Sequence, residues 1–217
     1  MSVRVLKVDT ERPDEAALLE AAETVLRGGV IAYPTDTLYG LGCSLFDVSG
    51  VELVARLKRR DPTLAVISLI PDPSQVFGLA DDVSEVAERL MARYWPGPLS
   101  IIFRASAVVP VRVRGAGSTV ALRVPKDTLC ERLLQRIGGP VVSSSANLTG
   151  QKPAETADEV LRIFGNQIDL VLDGGPRRGL TPSTLVDVSG QKPRLLRLGA
   201  LDPRAEMGDY IDATAAD

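Results

Sequence analysis

Two segments rich in hydroxyl groups could contact a ligand. Residues 33–42 (YPTDTLYGLG) place Asp36 between two threonines, after a β-rich run and before two glycines that allow close backbone approach. Residues 143–150 (SSSANLTG) follow an apolar pair and offer hydroxyls and backbone N–H groups to an anion. A turn with Ser/Thr-type hydrogen bonds and a Ser-rich loop or helix cap explain the same patterns equally well. Neither segment has the GxxxxGK[ST] spacing of a Walker loop or the G-x-S-x-G of a serine hydrolase.

Two basic segments could bind phosphate or carboxylate groups. Lys58, Arg59 and Arg60 lie at the predicted end of a helix, where they could also simply complement the helix dipole. Since successive helical side chains diverge by ~100°, Arg59 should point away from the other two. Residues 174–179 (GGPRRG) precede Ser183 and Arg197, and predict either a mobile phosphate cover or a long hairpin.

The composition excludes several kinds of catalysis. The 217 residues include no histidine, so a Ser-His-Asp or Cys-His triad is excluded and the usual neutral-pH base is missing. Two cysteines without CxxC spacing, together with the missing histidine, argue against a zinc site. No signal-peptide pattern or long apolar run occurs, so we expect a cytoplasmic protein with reduced thiols and no membrane segment. The net charge of −3 combines a mildly basic middle with acidic ends, which favours an anionic ligand over non-specific DNA coating, and solvated surface charges explain the same pattern equally well.

Helical and strand patterns mix without strict alternation. Apolar periodicity predicts helices over residues 14–27, 49–60, 83–94, 128–137 and 157–164. Short β-rich runs predict strands at 30–33, 64–70, 99–103, 119–124, 141–142, 169–172, 184–188 and 194–198. The pattern indicates one α/β domain over residues 1–200, with an open, twisted mixed sheet and flanking helices. Residues 201–217 are acidic and Ala-rich, and predict a loosely ordered tail.

Taken in order, these segments resemble the YrdC-like family, the threonylcarbamoyl-AMP synthases, in its short, single-domain form. The resemblance extends over roughly residues 15–200. It is carried by PT-[ED]-T-x-Y-G-L-G at 34–42, K-x-R at 58–60, W-P-G-P-[LV]-[ST] at 95–100, T-[VL]-A-[VL]-R-x-P at 119–125, S-x-S-A-N-x-[ST]-G at 143–150, S-T-[ILV]-[VI]-D at 183–187 and [IL]-x-R-x-G at 195–199.

The resemblance implies a sheet curled around a basic concave cavity and an enzyme that condenses L-threonine, bicarbonate or CO₂ and ATP to threonylcarbamoyl-AMP and pyrophosphate. Mg²⁺ would accompany ATP, held mainly by phosphate oxygens and water rather than by protein ligands. The product would serve tRNA threonylcarbamoyladenosine formation, with tRNA and a downstream threonylcarbamoyl transferase as possible partners. The implied threonine contacts are Thr35, Arg123, Ser143 and Ser183; the implied ATP contacts are Lys58, Thr119, Ser145, Asn147 and Arg197; and the implied catalytic pair is Lys58 and Arg60.

Two other functions remain open from the residues. A concave basic surface could bind double-stranded RNA without catalysis, although the chain has few aromatic residues for stacking. The same fold also serves carbamoyl-handling domains of maturation proteins, which normally lie within far longer chains.

Overall fold

The computed structural model describes residues 2–59, 66–115, 117–177 and 181–214. Its helices are α1 (Glu15–Leu26), α2 (Val48–Leu57), α3 (Val76–Leu79), α4 (Glu85–Tyr94), α5 (Thr128–Ile137), α6 (Ala157–Phe164) and α7 (Arg204–Met207). Its strands are β1 (Arg4–Lys7), β2 (Ile31–Pro34), β3 (Tyr39–Gly42), β4 (Ile67–Leu69), β5 (Leu99–Arg104), β6 (Thr119–Arg123), β7 (Val141–Val142), β8 (Ser144–Ser145), β9 (Leu170–Asp173), β10 (Thr184–Asp187), β11 (Arg194–Arg197) and β12 (Ile211–Asp212).

The strands form two mixed sheets rather than the single sheet that the sequence predicts. The five-stranded sheet has the order β1-β9-β2-β3-β8, and the seven-stranded sheet has the order β12-β11-β10-β5-β6-β4-β7. The chain passes from one sheet to the other at Ser143, which lies between β7 and β8. The predicted α/β class with mixed sheets and flanking helices is confirmed. Periodicity identifies strands but not their partners, which explains why the division was not predicted.

Helices cover the sheets through apolar faces. In α5, Leu129, Leu133 and Leu134 are buried and pack with α1 against the five-stranded sheet. Asp127 caps the start of α5 by accepting a hydrogen bond from the N–H of Cys130, and Gly138 ends it in the left-handed conformation. These start and stop signals are local in sequence, and the predicted bounds of α5 and α6 are confirmed.

The second helix ends earlier than predicted. Helix α2 stops at Leu57, Lys58 is its C-cap, and Arg59 has a φ of 51° in the left-handed region. The expectation of a helix reaching residue 60 is therefore wrong, and so is the helical-phase argument that separated Lys58 from Arg59. Arg59 is exposed and Lys58 is buried, so the two side chains do point in different directions. The cause is the change of backbone direction after the helix rather than the helical phase. Arg60 lies outside the described residues.

Residues 201–214 are more ordered than their composition suggests. They contain α7 and β12, and β12 pairs in parallel with β11. Met207 is buried in the main core, and Tyr94 of α4 donates a hydrogen bond to the carboxylate of Glu206 at 2.5 Å. Leu201 and Tyr210 pack against the same core, so apolar contacts that the acidic composition hid attach the segment to the domain. Within the described ranges, the chain has no helix with the length and apolarity needed to span a membrane.

Candidate functional site

A cavity of about 450 Å³ opens between the two sheets. Its volume falls in the range of sites for small ligands, roughly 300–1,000 Å³. The structure brings most of the residues implied by the resemblance to this one cavity. The lining includes Thr35, Lys58, Arg123, Ser143, Ser145, Asn147, Ser183 and Arg197. Thr119 does not line the cavity, and Arg60 lies outside the described residues.

Alternate residues of the seven-stranded sheet form the floor of the cavity. Ala121 pairs with Ile67 on one side and Ile102 on the other, so the middle of the floor is apolar. Arg123 lies two residues further along β6 and therefore faces the same side. Thr119 lies two residues back on the same face and is buried beyond the lined volume. Its assignment as an ATP contact stays a prediction.

The turn between β2 and β3 forms one wall, and it is held by Thr35. The Thr35 hydroxyl donates to Leu38 O at 2.7 Å and accepts from the N–H groups of Thr37 and Leu38, each at 3.1 Å. The Thr37 hydroxyl lies 3.0 Å away. The turn of Ser/Thr type is therefore present, and Thr35, Thr37 and Leu38 also line the cavity. Because Thr35 already has these partners, its main visible role is to shape the turn.

Arg123 crosses from the floor to this turn. Its Nε donates to Gly97 O at 2.9 Å, its Nη2 donates to Asp36 Oδ2 at 2.6 Å, and its Nη1 lies 3.4 Å from Thr37 Oγ1. Only 4% of Arg123 is exposed. Arg123 thus takes part in a buried ion pair while it also lines the cavity.

Lys58 holds the segment that follows β8. Its ammonium group donates to Ser145 O, to Asn147 O at 3.1 Å and to Asn147 Oδ1 at 2.9 Å. The Asn147 side chain in turn donates to Leu148 O at 2.9 Å and Gln151 O at 2.7 Å. The end of α2 therefore positions a buried cation against the Ser-rich loop.

A third cluster of polar side chains is formed by Ser100 in β5, Ser183 just before β10, and Arg197 in β11. Arg197 Nε donates to Ser183 O at 3.1 Å, and Ser100 Oγ lies 2.9 Å from Ser183 Oγ. Burial, and to a lesser degree the nearby charge of Arg123, lower the pKa of Arg197 from its ordinary value. Sequence reasoning missed Ser100. The signal in the sequence was a serine within an otherwise apolar strand, and the structure shows its hydroxyl fully buried. The sequence alone did not reveal the hydrogen-bond partner of this hydroxyl.

The Gly-rich loop after β9 is hydrogen-bonded to Tyr39 of β3, at the end of the turn between β2 and β3. Tyr39 donates its hydroxyl hydrogen to Gly175 O at 2.8 Å and accepts from Gly174 N–H at 3.3 Å. Burial and the charge of Asp173 raise the pKa of Tyr39 to about 12, so the hydroxyl stays protonated near neutral pH. Arg177 approaches Asp127 at 3.6 Å. Residues 178–180 lie outside the described part, so the predicted phosphate cover stays a prediction.

The lining of the cavity is positively charged. Lys58, Arg123 and Arg197 contribute three cations, and no carboxylate lines the cavity among the residues that the structure describes. Hydroxyl, amide and backbone groups supply the remaining polar surface. A low-dielectric cavity with this lining attracts anions such as carboxylates and phosphates.

The residues do not form a protein cage for a metal ion. In the described ranges, no group of three or more Cys, Asp or Glu side chains could hold one. The hydroxyls of Ser145 and Thr149 line the cavity and fit contacts to the water shell of an ion that arrives with a nucleotide.

Comparison with known proteins gives a family match and a related sequence. The Sua5/YciO/YrdC family model, described as "Telomere recombination", matches residues 23–199. A Marinobacter nauticus protein named threonylcarbamoyl-AMP synthase is 37% identical over 188 residues, which cover 86% of this chain and 99% of that protein.

Two solved structures share the fold over nearly the whole chain. Pyrococcus abyssi Sua5 complexed with L-threonine superposes with a TM-score of 0.89 at 32% identity, covering 95% of this chain. The chain spans 62% of that Sua5 chain. Escherichia coli YciO superposes with a TM-score of 0.85 at 29% identity, covering 92% of this chain and 97% of YciO. The family match over residues 23–199 and the 37% identity to the Marinobacter nauticus protein show that the chain belongs to the Sua5/YciO/YrdC family.

Proposed function

We propose that the chain is a threonylcarbamoyl-AMP synthase, a nucleotidyltransferase that joins L-threonine, bicarbonate or CO₂, and ATP. The observation that carries this proposal is a cavity whose three cations and several hydroxyls face one space without a histidine. Such a lining suits a reaction between anionic groups that need alignment and charge neutralisation rather than a protein base.

The proposed reaction has two bond-forming steps. The threonine amine attacks the carbon of CO₂, loses a proton, and gives a carbamate; when bicarbonate is the carbon source, a C–O bond also breaks and water leaves. A carbamate oxygen then attacks the α-phosphorus of ATP, and the bond to the β-phosphate oxygen breaks as pyrophosphate leaves. Orientation alone gives effective molarities of roughly 10⁵–10⁸ M, so a positioned carbamate can react without a histidine base.

The cavity offers separate ends for the two substrates. Arg123, with Thr35, Ser143 and Ser183 in the same lining, would take the amino acid, because a guanidinium suits a carboxylate. Lys58, with Ser145, Asn147 and Arg197, would take the nucleotide phosphates. Mg²⁺ would neutralise phosphate charge and stabilise the leaving pyrophosphate. Thr119 and Arg60 remain predicted contacts.

Relatives support this choice of substrates. The Marinobacter nauticus relative is named for this activity, and the Pyrococcus abyssi structure holds L-threonine. An enclosed space between two sheets also favours a small anionic ligand over double-stranded RNA, which is bound across an open surface. Bicarbonate as co-substrate, delivery of the product toward tRNA through a transferase, and a cytoplasmic location belong to the same proposal.

Omission of single substrates tests the proposal. The protein is incubated with ATP and Mg²⁺, with threonine and bicarbonate supplied together or one at a time, and pyrophosphate is measured. We expect release only when both are present. Equal release without threonine would rule out the proposed reaction, and salt-dependent retention of double-stranded RNA without ATP consumption would support the RNA-binding alternative.

A further inference from the structure

Asp36 lies behind the cavity rather than in its lining. Its Oδ2 accepts from Arg123 Nη2 at 2.6 Å and from the backbone N–H of Lys126 at 3.2 Å. The side chain is 14% exposed, and the other oxygen, Oδ1, is buried with no hydrogen-bond partner. The placement of this carboxylate therefore depends on two contacts at one oxygen, and one of these is Arg123.

The contacts of Arg123 leave a defined part of the guanidinium for a ligand. Gly97 O occupies Nε and Asp36 occupies one hydrogen of Nη2. Nη1 has only a long contact with Thr37 Oγ1, at 3.4 Å. The hydrogens that remain for an incoming anion thus lie mainly on Nη1. This atom lies beside the Thr37 hydroxyl, and both residues line the cavity. The orientation of these donors is set from behind by Asp36.

The charges around the cavity also favour a carboxylate at this position. Arg123 and Arg197 both line the cavity, and the pKa of Arg197 is lowered first by burial and then by the charge of Arg123. Asp36 offsets the charge of Arg123 without entering the lining. Removal of one partner from a buried ion pair leaves the other charge uncompensated and free to reorient.

The geometry points to Asp36 as a positioning residue that aims Arg123 at the α-carboxylate of the amino-acid substrate. This inference rests on the proposed function, in which threonine occupies the Arg123 end of the cavity. Asp36 itself touches no substrate. It determines specificity by making the amino acid's carboxylate, rather than its side chain, the group that Arg123 recognises.

Paired ligands separate this role from a general structural one. L-threonine and L-threoninol differ only in that threoninol has a hydroxymethyl group in place of the carboxylate. We would measure the binding of both by calorimetry to the unaltered protein, to Asp36→Asn and to Asp127→Asn. Asp127 is a matched control because it is a partly buried carboxylate nearby that caps α5 and does not contact Arg123. Thermal unfolding of each variant reports its folding.

The unaltered protein should bind threonine more tightly than threoninol. Asp36→Asn should weaken threonine binding about tenfold or more, the scale of one charge-assisted hydrogen bond, and should leave threoninol binding nearly unchanged. Asp127→Asn should preserve the preference for threonine. Asp36→Glu, which keeps the charge but displaces the oxygen, should show an intermediate loss and extends the test if the asparagine variant does not fold.

The outcomes distinguish the two proposals. If the unaltered protein fails to bind L-threonine, the proposed function and the role of Asp36 both fail. If it binds threonine and the Asp36 variants bind it equally well, only the role of Asp36 is overturned. Equal losses for threonine and threoninol would likewise overturn it, because a collapsed site weakens both ligands.

Discussion

At the scale of single residues, Lys58 shows how the loop after β8 holds a buried charge at the edge of the cavity. The ammonium group is held by oxygens of Ser145 and Asn147, and only 4% of the residue is exposed. A charge held in place before the ligand arrives needs little reorganisation during the reaction. Lys58 is thus suited to stabilise the negative charge that moves onto pyrophosphate.

Replacement of Lys58 should therefore reduce turnover strongly. We expect Lys58→Met to lower kcat by about 10²-fold, the scale of losing one preorganised stabiliser. Arg59→Ala serves as the control, because Arg59 is exposed just past the end of α2. Steady-state pyrophosphate release measures both variants. A larger loss for the Arg59 variant would contradict the assignment of Lys58.

Replacement of Arg123 should affect threonine and not ATP. A lysine ammonium cannot reproduce the separate contacts of Arg123 with Gly97 and Asp36 while also meeting a carboxylate. We expect Arg123→Lys to raise the threonine KM at least about tenfold and to leave the ATP KM nearly unchanged. Kinetics with each substrate varied in turn decide this, and a change confined to ATP would place Arg123 outside the threonine end.

The residue types of the cavity were largely predictable, but their partners were not. Ordered motifs identified Lys58, Arg123 and Ser183, and all three line one cavity. A turn with Ser/Thr-type hydrogen bonds was one of the two interpretations of residues 33–42, and Thr35 forms it, whereas Ser100 was missed. A sequence pattern shows which side chains are polar, but a hydrogen bond between β5 and the residue before β10 depends on strand pairing across 83 residues.

At the scale of elements, strand β3 leaves room for the Ser143 hydroxyl at Gly40. A Cβ on Gly40 would lie 2.9 Å from Ser143 Oγ, the rotatable end of a side chain that lines the cavity. A Cβ on Gly42 would lie 2.6 Å from Tyr33 Cε1 and 3.1 Å from Val142 O, which are fixed in the core. Gly40 therefore leaves room for a hydroxyl that lines the cavity, and Gly42 leaves room for close packing in the core.

Alanine at these two positions should separate activity from stability. Gly40→Ala should displace the Ser143 hydroxyl and raise the threonine KM about tenfold with little change in Tm, because the hydroxyl can rotate away. Gly42→Ala should destabilise the fold by roughly 1–3 kcal/mol through overpacking. Thermal unfolding and threonine kinetics on both variants provide the check; a reversed pattern would contradict the assignment.

Elements with strong local signals were predicted, and those without them were not. Helices α5 and α6 have clear caps and apolar periodicity, and their predicted bounds match the structure. The sequence predicts no strand at β3 or β8, because glycine has low strand propensity and β8 has only two residues. The two strands are stabilised by pairing with each other, Gly40 with Ser145 and Leu41 with Ser144, and this long-range pairing is not visible in either local sequence.

At the scale of the whole molecule, the aliphatic core encloses both cysteines. Burial raises the pKa of Cys43 to about 12 and raises the pKa of Cys130 well above its ordinary value. The folded protein therefore keeps both thiols protonated and inaccessible, while the unfolded chain exposes two ordinary thiols. Since the unfolded state loses these protons first, stability contributed by the buried thiols falls as the pH rises above the ordinary thiol pKa of about 8.5.

Thiol labelling follows from this arrangement. With a thiol-specific reagent near pH 8, the native protein should react slowly at both cysteines, and the denatured protein should react at both within the mixing time. The free energy of unfolding should decline as pH is raised from about 8.5 to 10. Rapid labelling of the native protein would contradict the burial of the two side chains.

The origin of the carbon in the nucleotide product tests the central claim most directly. The protein is incubated with ATP, Mg²⁺, L-threonine and isotopically labelled bicarbonate, and the product is examined by mass spectrometry. A threonylcarbamoyl-AMP synthase must give an adenylate whose mass includes both threonine and the labelled carbon, with pyrophosphate in equal amount. An adenylate of threonine without the label, or AMP formed at the same rate without threonine, would contradict it.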